Sequence, residues 1–185
     1  ELIGNPGLDI MDLEAVADIA GRHSVPLMID ATFNTPYLCR CIDHGANIVI
    51  HSLTKWMGGH GNSIGGVIVD GGNFDWGAAG HFHTITDPYA PFQGISFWEE
   101  FGPSAFSTRI RAEAMRDIGA SMSPMNAFLL LQGIETLSLR MDRHIENTRA
   151  LLEYLQAHDQ VAWVSHPDLS DHASHAQAKK YLPKG

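Results

Sequence analysis

Residues 25–66, VPLMIDATFNTPYLCRCIDHGANIVIHSLTKWMGGHGNSIGG, constrain the fold more than any other stretch of the chain. One apolar run closes on Asp30, a short segment of helical character covers residues 36–44, and a second apolar run closes on Ser52-Leu53-Thr54-Lys55. Strand, crossover helix and strand in that order predict two neighbouring parallel strands of an α/β sheet. Such sheets bind ligands at the carboxyl ends of their strands. An acid stands at the first of those ends, and two hydroxyls and a lysine stand at the second.

Each of these side chains has a plain reading beside a chemical one. Lys55 can be a solvated surface cation, or a strand-tip amine that condenses with an aldehyde. Ser52 and Thr54 flank it three residues and one residue earlier, as neutral donors to a phosphate ester or as parts of a polar turn. A carboxylate such as Asp30 at the end of a buried strand is costly without a cationic partner. A protonated pyridine nitrogen would be that partner, while an Asx-turn or the N-cap of the next helix is the local alternative. An acid and an amine one crossover apart on adjacent strand tips favour pyridoxal 5'-phosphate, whose ring the acid keeps cationic as an electron sink.

Other motifs point elsewhere only weakly. Gly58, Gly59, Gly61, Gly65 and Gly66 permit close backbone approach but form neither a dinucleotide fingerprint nor a P-loop. The eleven histidines include His51, His60, His81 and His83 as candidate metal ligands. Without an H-E-x-x-H or a Cys/His pair at zinc spacing, no metal site is expected. Cys39 and Cys41 read as packed, reduced thiols. The net charge of −9, from 12 Lys+Arg against 21 Asp+Glu, disfavours nucleic acid and anionic membranes as partners. No apolar run approaches the ~20 residues of a membrane span, and the start carries no export signal. The expected location is the cytoplasm.

Along the rest of the chain, apolar spacing predicts a helix over residues 9–22, strands over 27–29, 46–51 and 64–69, and helical character over 108–117. The strand at 27–29 is expected to be buried on both faces. Residues 73–102 carry no clean period and read as a long functional or partner-contacting loop. Ser123 and Pro124 suit the start of a helix, followed by one long helix over 126–158, bent at Gly133. Val161 to Val164 read as a strand opening a further domain. Because the first residue is Glu1 and the end falls on no structural stop, the chain reads as a piece of a longer enzyme.

Four stretches together carry a resemblance. ELIGNPG at the start, D-x-T-F-x-T-P-Y from Asp30, HSLTKWMGGHGNSIGGVIVDGG from His51, and G-x-x-x-S-P-x-N-A-F-L-L-L-Q-G-I-E-T-L-x-x-R-M from Gly119 resemble the Cys/Met-metabolism family of pyridoxal-phosphate enzymes, and within it the sulfhydrylases. The resemblance implies the central part of a type I, aspartate aminotransferase-like α/β domain with a mostly parallel sheet. It divides the chain into large domain (1–125), linking helix (126–158) and the start of a smaller C-terminal α/β domain (159–185). Lys55 is similar to the family's Schiff-base lysine and proton shuttle, and Asp30 to its pyridinium partner. Ser52 and Thr54 are similar to part of its phosphate cradle. Asn5 is similar to its asparagine near the cofactor's phenolic oxygen and the substrate carboxylate. Ala31, Cys41 and Trp56 depart from the family's usual Asn, Pro and Phe or Tyr, and none of these changes removes a proton-carrying group. The family's ring-stacking tyrosine and glycine-rich phosphate amides would lie upstream of Glu1, and its substrate-carboxylate arginine downstream of Gly185.

The activity so implied is γ-replacement on O-acetylhomoserine by sulfide or a thiol, giving homocysteine or methionine plus acetate. Cystathionine γ-synthase or a γ-lyase is the alternative within the family. For these residues alone, a catalytically inactive or assembly module is the other reading. Relatives of this kind are homo-oligomers, usually tetramers.

Overall fold

The computed structural model describes residues 1–185. Its centre is a three-stranded sheet, β1 (Met28–Asp30), β2 (Ile48–Ser52) and β3 (Gly66–Asp70), in the order β1-β2-β3. β1 and β2 are parallel, with Met28 opposite Ile48 and Asp30 opposite Ile50. β3 runs antiparallel to β2, so the sheet is mixed. The reversal follows from the connection: the residues between Ser52 and Gly66 form turns without a crossover helix, and a chain that short must come back beside the strand it left.

The βαβ crossover is built as expected but in two pieces, α2 (Thr35–Leu38) and a 3₁₀ turn (Cys41–His44). Cys39 adopts an extended conformation between them. Gly45 ends the turn at a φ of 95°, in the left-handed region where a glycine costs least. Ahead of the sheet, α1 (Leu13–Arg22) begins four residues later than its spacing suggested, because the Asp12 side chain accepts from the Ala15 amide and caps it there.

Alternate residues of β2 feed two separate cores. Val49, with Ile29 beside it, faces a cluster that includes Leu2, Ile10, Leu13, Cys41, Ala178 and Tyr181. Ile48 faces a second cluster of Trp76, Ile85, Phe97 and Ala105. That second cluster corrects the reading of residues 73–102 as a loop. They fold as short helices, α3 (Trp76–Ala79), α4 (His83–Thr86) and α5 (Phe97–Phe101), whose aromatic side chains pack on one another. Trp76 stacks on Phe106 at 5.3 Å and meets Phe82 edge-on at 5.1 Å. The aromatic cluster does not extend over β1. Met28 is 47% exposed while Ile29 is 2% exposed, so β1 is covered on one face and not, as expected, on both.

Three further helical segments run on without interruption. α6 (Ala105–Arg109) passes through a π-helical turn (Ile110–Met115) into α7 (Arg116–Ile118). The Ser123 hydroxyl accepts from the Asn126 amide at 3.2 Å and, with Pro124 in the first turn, starts α8 (Pro124–Glu135) as the sequence predicts. The long helix does not continue from there. It breaks at Thr136, and α9 (Leu137–Gln156) follows. The strand expected at residues 161–164 does not form, since no other strand lies there to pair with it.

The last element, α10 (His175–Tyr181), packs on the first core. The buried Tyr181 hydroxyl donates to the Asp12 carboxylate at 2.6 Å and accepts from the Glu14 amide at 3.1 Å. Lys180 pairs with Glu14 at 2.7 Å, and His44 holds the same carboxylate at 3.0 Å. The Tyr181 hydroxyl, then the Ala15 amide, keep the Asp12 carboxyl below its usual 3.8; Lys180, then His44, keep Glu14 below its usual 4.5. Acids depressed in the folded state stabilise it above their unfolded pKa and lose that contribution as pH falls through the folded values. We expect Tyr181→Phe to cost about 1 kcal/mol through its lost hydrogen bonds. In melting curves, its deficit against the wild type should shrink as pH falls through the carboxylate range. A deficit independent of pH would mean that the bond to the Asp12 carboxylate contributes nothing to holding α10.

Candidate functional site

The two parallel strand tips stand side by side because the ladder continues beyond the strands. The Ala31 amide donates to the Ile50 carbonyl at 2.9 Å, and the Ser52 amide donates to the Thr32 hydroxyl at 2.8 Å. Asp30 and Ser52 therefore open onto one cleft, of about 660 Å³. Lys55, Asn5, Glu1, Thr32, Phe33, Trp56, Arg140 and His144 also line it.

Lys55 sits on a tight turn at the end of β2. Its amide donates to the Ser52 carbonyl at 3.2 Å and its carbonyl accepts from the Gly59 amide at 2.7 Å, while the Gly58 amide bonds the Leu53 carbonyl at 2.8 Å. Its amine makes no ion pair or hydrogen bond within the chain, and the side chain is exposed. The other lysines, Lys179, Lys180 and Lys184, lie in α10 or just beyond it. Lys55 is the only lysine that lines the cleft.

Asp30 is exposed, and one carboxylate oxygen, Oδ1, accepts from the Thr32 amide at 2.9 Å. The local Asx-turn is thus formed, and it engages only Oδ1, leaving Oδ2 for a ligand. No protein cation pairs with this carboxylate. The Ser52 hydroxyl is likewise without a partner in the chain, and the exposed Asn5 meets the cleft from the N-terminal turn. Thr54 is placed differently. Its hydroxyl donates to the Gly65 carbonyl at 3.2 Å and accepts from the Gly65 amide at 3.1 Å, closing the turn between Lys55 and β3. Thr54 is not among the residues lining the cleft, and a phosphate oxygen could take its proton only by displacing the Gly65 carbonyl.

The histidines singled out in the sequence are dispersed. His51 is buried behind the strand tips with Nδ1 3.0 Å from the Ala31 carbonyl, and burial pushes its pKa down. His60 bonds the Gly58 carbonyl, His81 lies against Phe82, and His83 reaches Asp87. Cys39 and Cys41 are free buried thiols. Sequence reasoning missed Arg140 and His144, both on α9. Arg140 stands in the motif that begins at Gly119, where no role attached to it, and the four-residue spacing puts both on one side of a helix. A smaller hollow of about 280 Å³ adjoins the cleft, sharing Ile3, Phe33, Trp56 and His144 with it, and its wall is mainly apolar.

Known proteins resemble this chain over its whole length. The model of the family described as Cys/Met metabolism PLP-dependent enzyme matches residues 1–185. Homocysteine synthase of Schizosaccharomyces pombe is 51% identical over 187 residues, covering 100% of this chain and 44% of that protein. O-acetyl-L-homoserine sulfhydrylase of Leptospira meyeri is 47% identical over 193 residues, covering 100% and 43%. Among solved structures, a protein of Campylobacter jejuni assigned as an O-acetylhomoserine (thiol)-lyase superposes with a TM-score of 0.92 at 31% identity, over 98% of this chain and 45% of that one. That crystal structure carries N'-pyridoxyl-lysine-5'-monophosphate. O-acetylhomoserine sulfhydrylase of Wolinella succinogenes superposes with a TM-score of 0.85 at 34% identity, over 99% and 49%. The chain spans less than half the length of these relatives.

Proposed function

The chain belongs to the Cys/Met metabolism PLP-dependent enzyme family, and from that premise we propose that the protein carrying it performs γ-replacement on O-acetylhomoserine, with Lys55 and Asp30 at the centre of its site. The single observation that carries the reading is the juxtaposition of an unpaired amine and a half-free carboxylate on adjacent strand tips, across one cleft.

Pyridoxal phosphate fits the groups present. The cleft's volume lies within the ~300–1,000 Å³ usual for small-ligand sites. Its donor set matches the cofactor's three ends: an amine for the aldehyde, a carboxylate oxygen for the pyridine nitrogen, and a free hydroxyl for the phosphate. When bound, the cofactor supplies an electron sink for a carbanion at the substrate's α-carbon. Lys55 Nζ would hold the aldehyde carbon and, once exchanged for the substrate's amine, would take the proton from Cα and move protons at Cβ. Asp30 Oδ2 would keep a proton on the pyridine nitrogen, as a charge-assisted hydrogen bond favours. The Ser52 hydroxyl would donate to a phosphate oxygen. The Asn5 amide would orient the phenolic oxygen and the substrate carboxylate. Thr54 would fix the turn that presents Lys55.

Acetate leaving the γ-carbon and sulfide or a thiol adding there would give homocysteine or methionine. The names of the relatives, homocysteine synthase and O-acetyl-L-homoserine sulfhydrylase, support this outcome over elimination. No helix of the structure is long and apolar enough to cross a membrane, and two free thiols suit a reducing compartment. A cytoplasmic homo-oligomer is the setting proposed, with residues 159–185 opening the smaller domain. Incubating the loaded protein with O-acetylhomoserine and sulfide should yield homocysteine and acetate in equal amounts. Release of an α-keto acid instead would make it a lyase.

A further inference from the structure

We propose that Arg140 is a positioning residue that clamps the turn behind Lys55 and so sets where the Lys55 amine stands. The inference rests on the reading of Lys55 as the cofactor-holding amine. Because that amine has no side-chain partner, whatever locates it acts through the backbone of residues 52–59. Arg140, from the first turns of α9, holds the far end of that backbone. Its Nη1 donates to the Trp56 carbonyl at 2.7 Å, and its Nη2 donates to the Met57 carbonyl at 3.3 Å and the Gly133 carbonyl at 2.8 Å. Nε donates to the Thr136 hydroxyl at 3.2 Å. No carboxylate pairs with this arginine. Its rigid fork is spent on neutral acceptors from two chain segments, which a lysine's point charge cannot span.

Two further features show that this joint is built. One turn along α9, His144 packs edge-on against the Trp56 ring at 4.8 Å, so α9 grips both the carbonyl and the side chain of the residue next to Lys55. At the same joint the backbone admits no side chain. A Cβ on Gly59, whose φ is 72°, would lie 2.5 Å from the Arg140 guanidinium, and one on Gly133 would lie 2.0 Å from the Gly58 carbonyl oxygen. The break between α8 and α9 at Thr136 belongs to the same device, since it supplies the hydroxyl and the carbonyl that orient the guanidinium. The site lysine is therefore fixed from the strand side by β2 and from the other side by α9.

Arg140→Gln and Arg140→Lys in the complete protein test this with two independent readouts. In the cofactor-free protein, amide exchange in a peptide covering residues 53–60 should rise about tenfold or more in Arg140→Gln, with α1 unchanged, as a local opening requires. In the loaded enzyme kcat should fall by about 10- to 100-fold, the scale of a misplaced catalytic group. KM should change little, and the pH at which the cofactor's visible band titrates should move. Arg140→Lys should restore only part of each. If Arg140→Gln fails to fold, Thr136→Val, which removes the Nε acceptor and the hydroxyl's own bond to the Gly133 carbonyl while leaving the bonds to Trp56 and Met57, should show the same changes at smaller size. Unchanged exchange at residues 53–60, or unchanged kcat and visible band, would overturn the clamp. A wild type with no cofactor on Lys55 would instead defeat the proposed function and leave the exchange readout to decide the clamp.

Discussion

Replacing Lys55 by alanine in the complete protein should abolish covalent capture of pyridoxal phosphate and lower turnover by about 10³-fold or more, because one amine serves as both nucleophile and proton carrier. Borohydride reduction followed by peptide mapping reads the first effect. The wild type should carry a pyridoxyl group on the peptide containing Lys55, and Lys55→Ala should carry none anywhere in residues 1–185. The remaining lysines of the chain sit in or beside α10, where they cannot substitute. Folding should be untouched, since the side chain is exposed and unpartnered, and surface changes of that kind stay within about 0.5 kcal/mol. A pyridoxyl group on another residue of the wild type would contradict the assignment.

Asp30→Asn should separate chemistry from folding at the neighbouring tip. The asparagine carbonyl can still accept from the Thr32 amide, which Asp30 does at 2.9 Å, so the turn and the melting temperature should persist. The negative charge that would hold a proton on the pyridine nitrogen is lost. A charge-assisted hydrogen bond is worth about 1.5–3 kcal/mol, so turnover should fall by about 10- to 100-fold at 1.4 kcal/mol per decade. The visible band of the loaded protein should shift with it. Full activity in Asp30→Asn would mean that the carboxylate serves only the Asx-turn. A collapse in stability would mean that its role is structural.

What the sequence disclosed, and what it hid, follows from how far each signal reaches along the chain. The apolar runs ending at Asp30 and at Ser52 are local, and one crossover joins them, so the convergence of both tips on a cleft was legible. Ser123 and Pro124 announced α8 for the same reason. Residues 73–102 hid their order because helices of four or five residues hold little more than one turn, too little for a period to show. The interruption at Thr136 was legible only as a bend at Gly133, three residues early, because the close approach of Gly133 to Gly58 joins distant segments. Arg140 escaped notice likewise, since its acceptors at Trp56 and Met57 lie 84 and 83 residues away. The strand imagined at residues 161–164 had suitable residues and no partner. One face of β1 looked covered only because parallel strands usually are, and Met28 shows that this chain leaves it open.

The central claim is that the Asp30 carboxylate and the Lys55 amine hold opposite sides of one aromatic ring. A crystal structure of the protein loaded with pyridoxal phosphate tests it most directly. The account predicts unbroken density from Lys55 Nζ to the ring and an Asp30 oxygen at about 2.7–2.9 Å from the pyridine nitrogen, as a charge-assisted bond requires. A ring joined to another residue, or one lying in the cleft with its nitrogen turned away from Asp30, would contradict it.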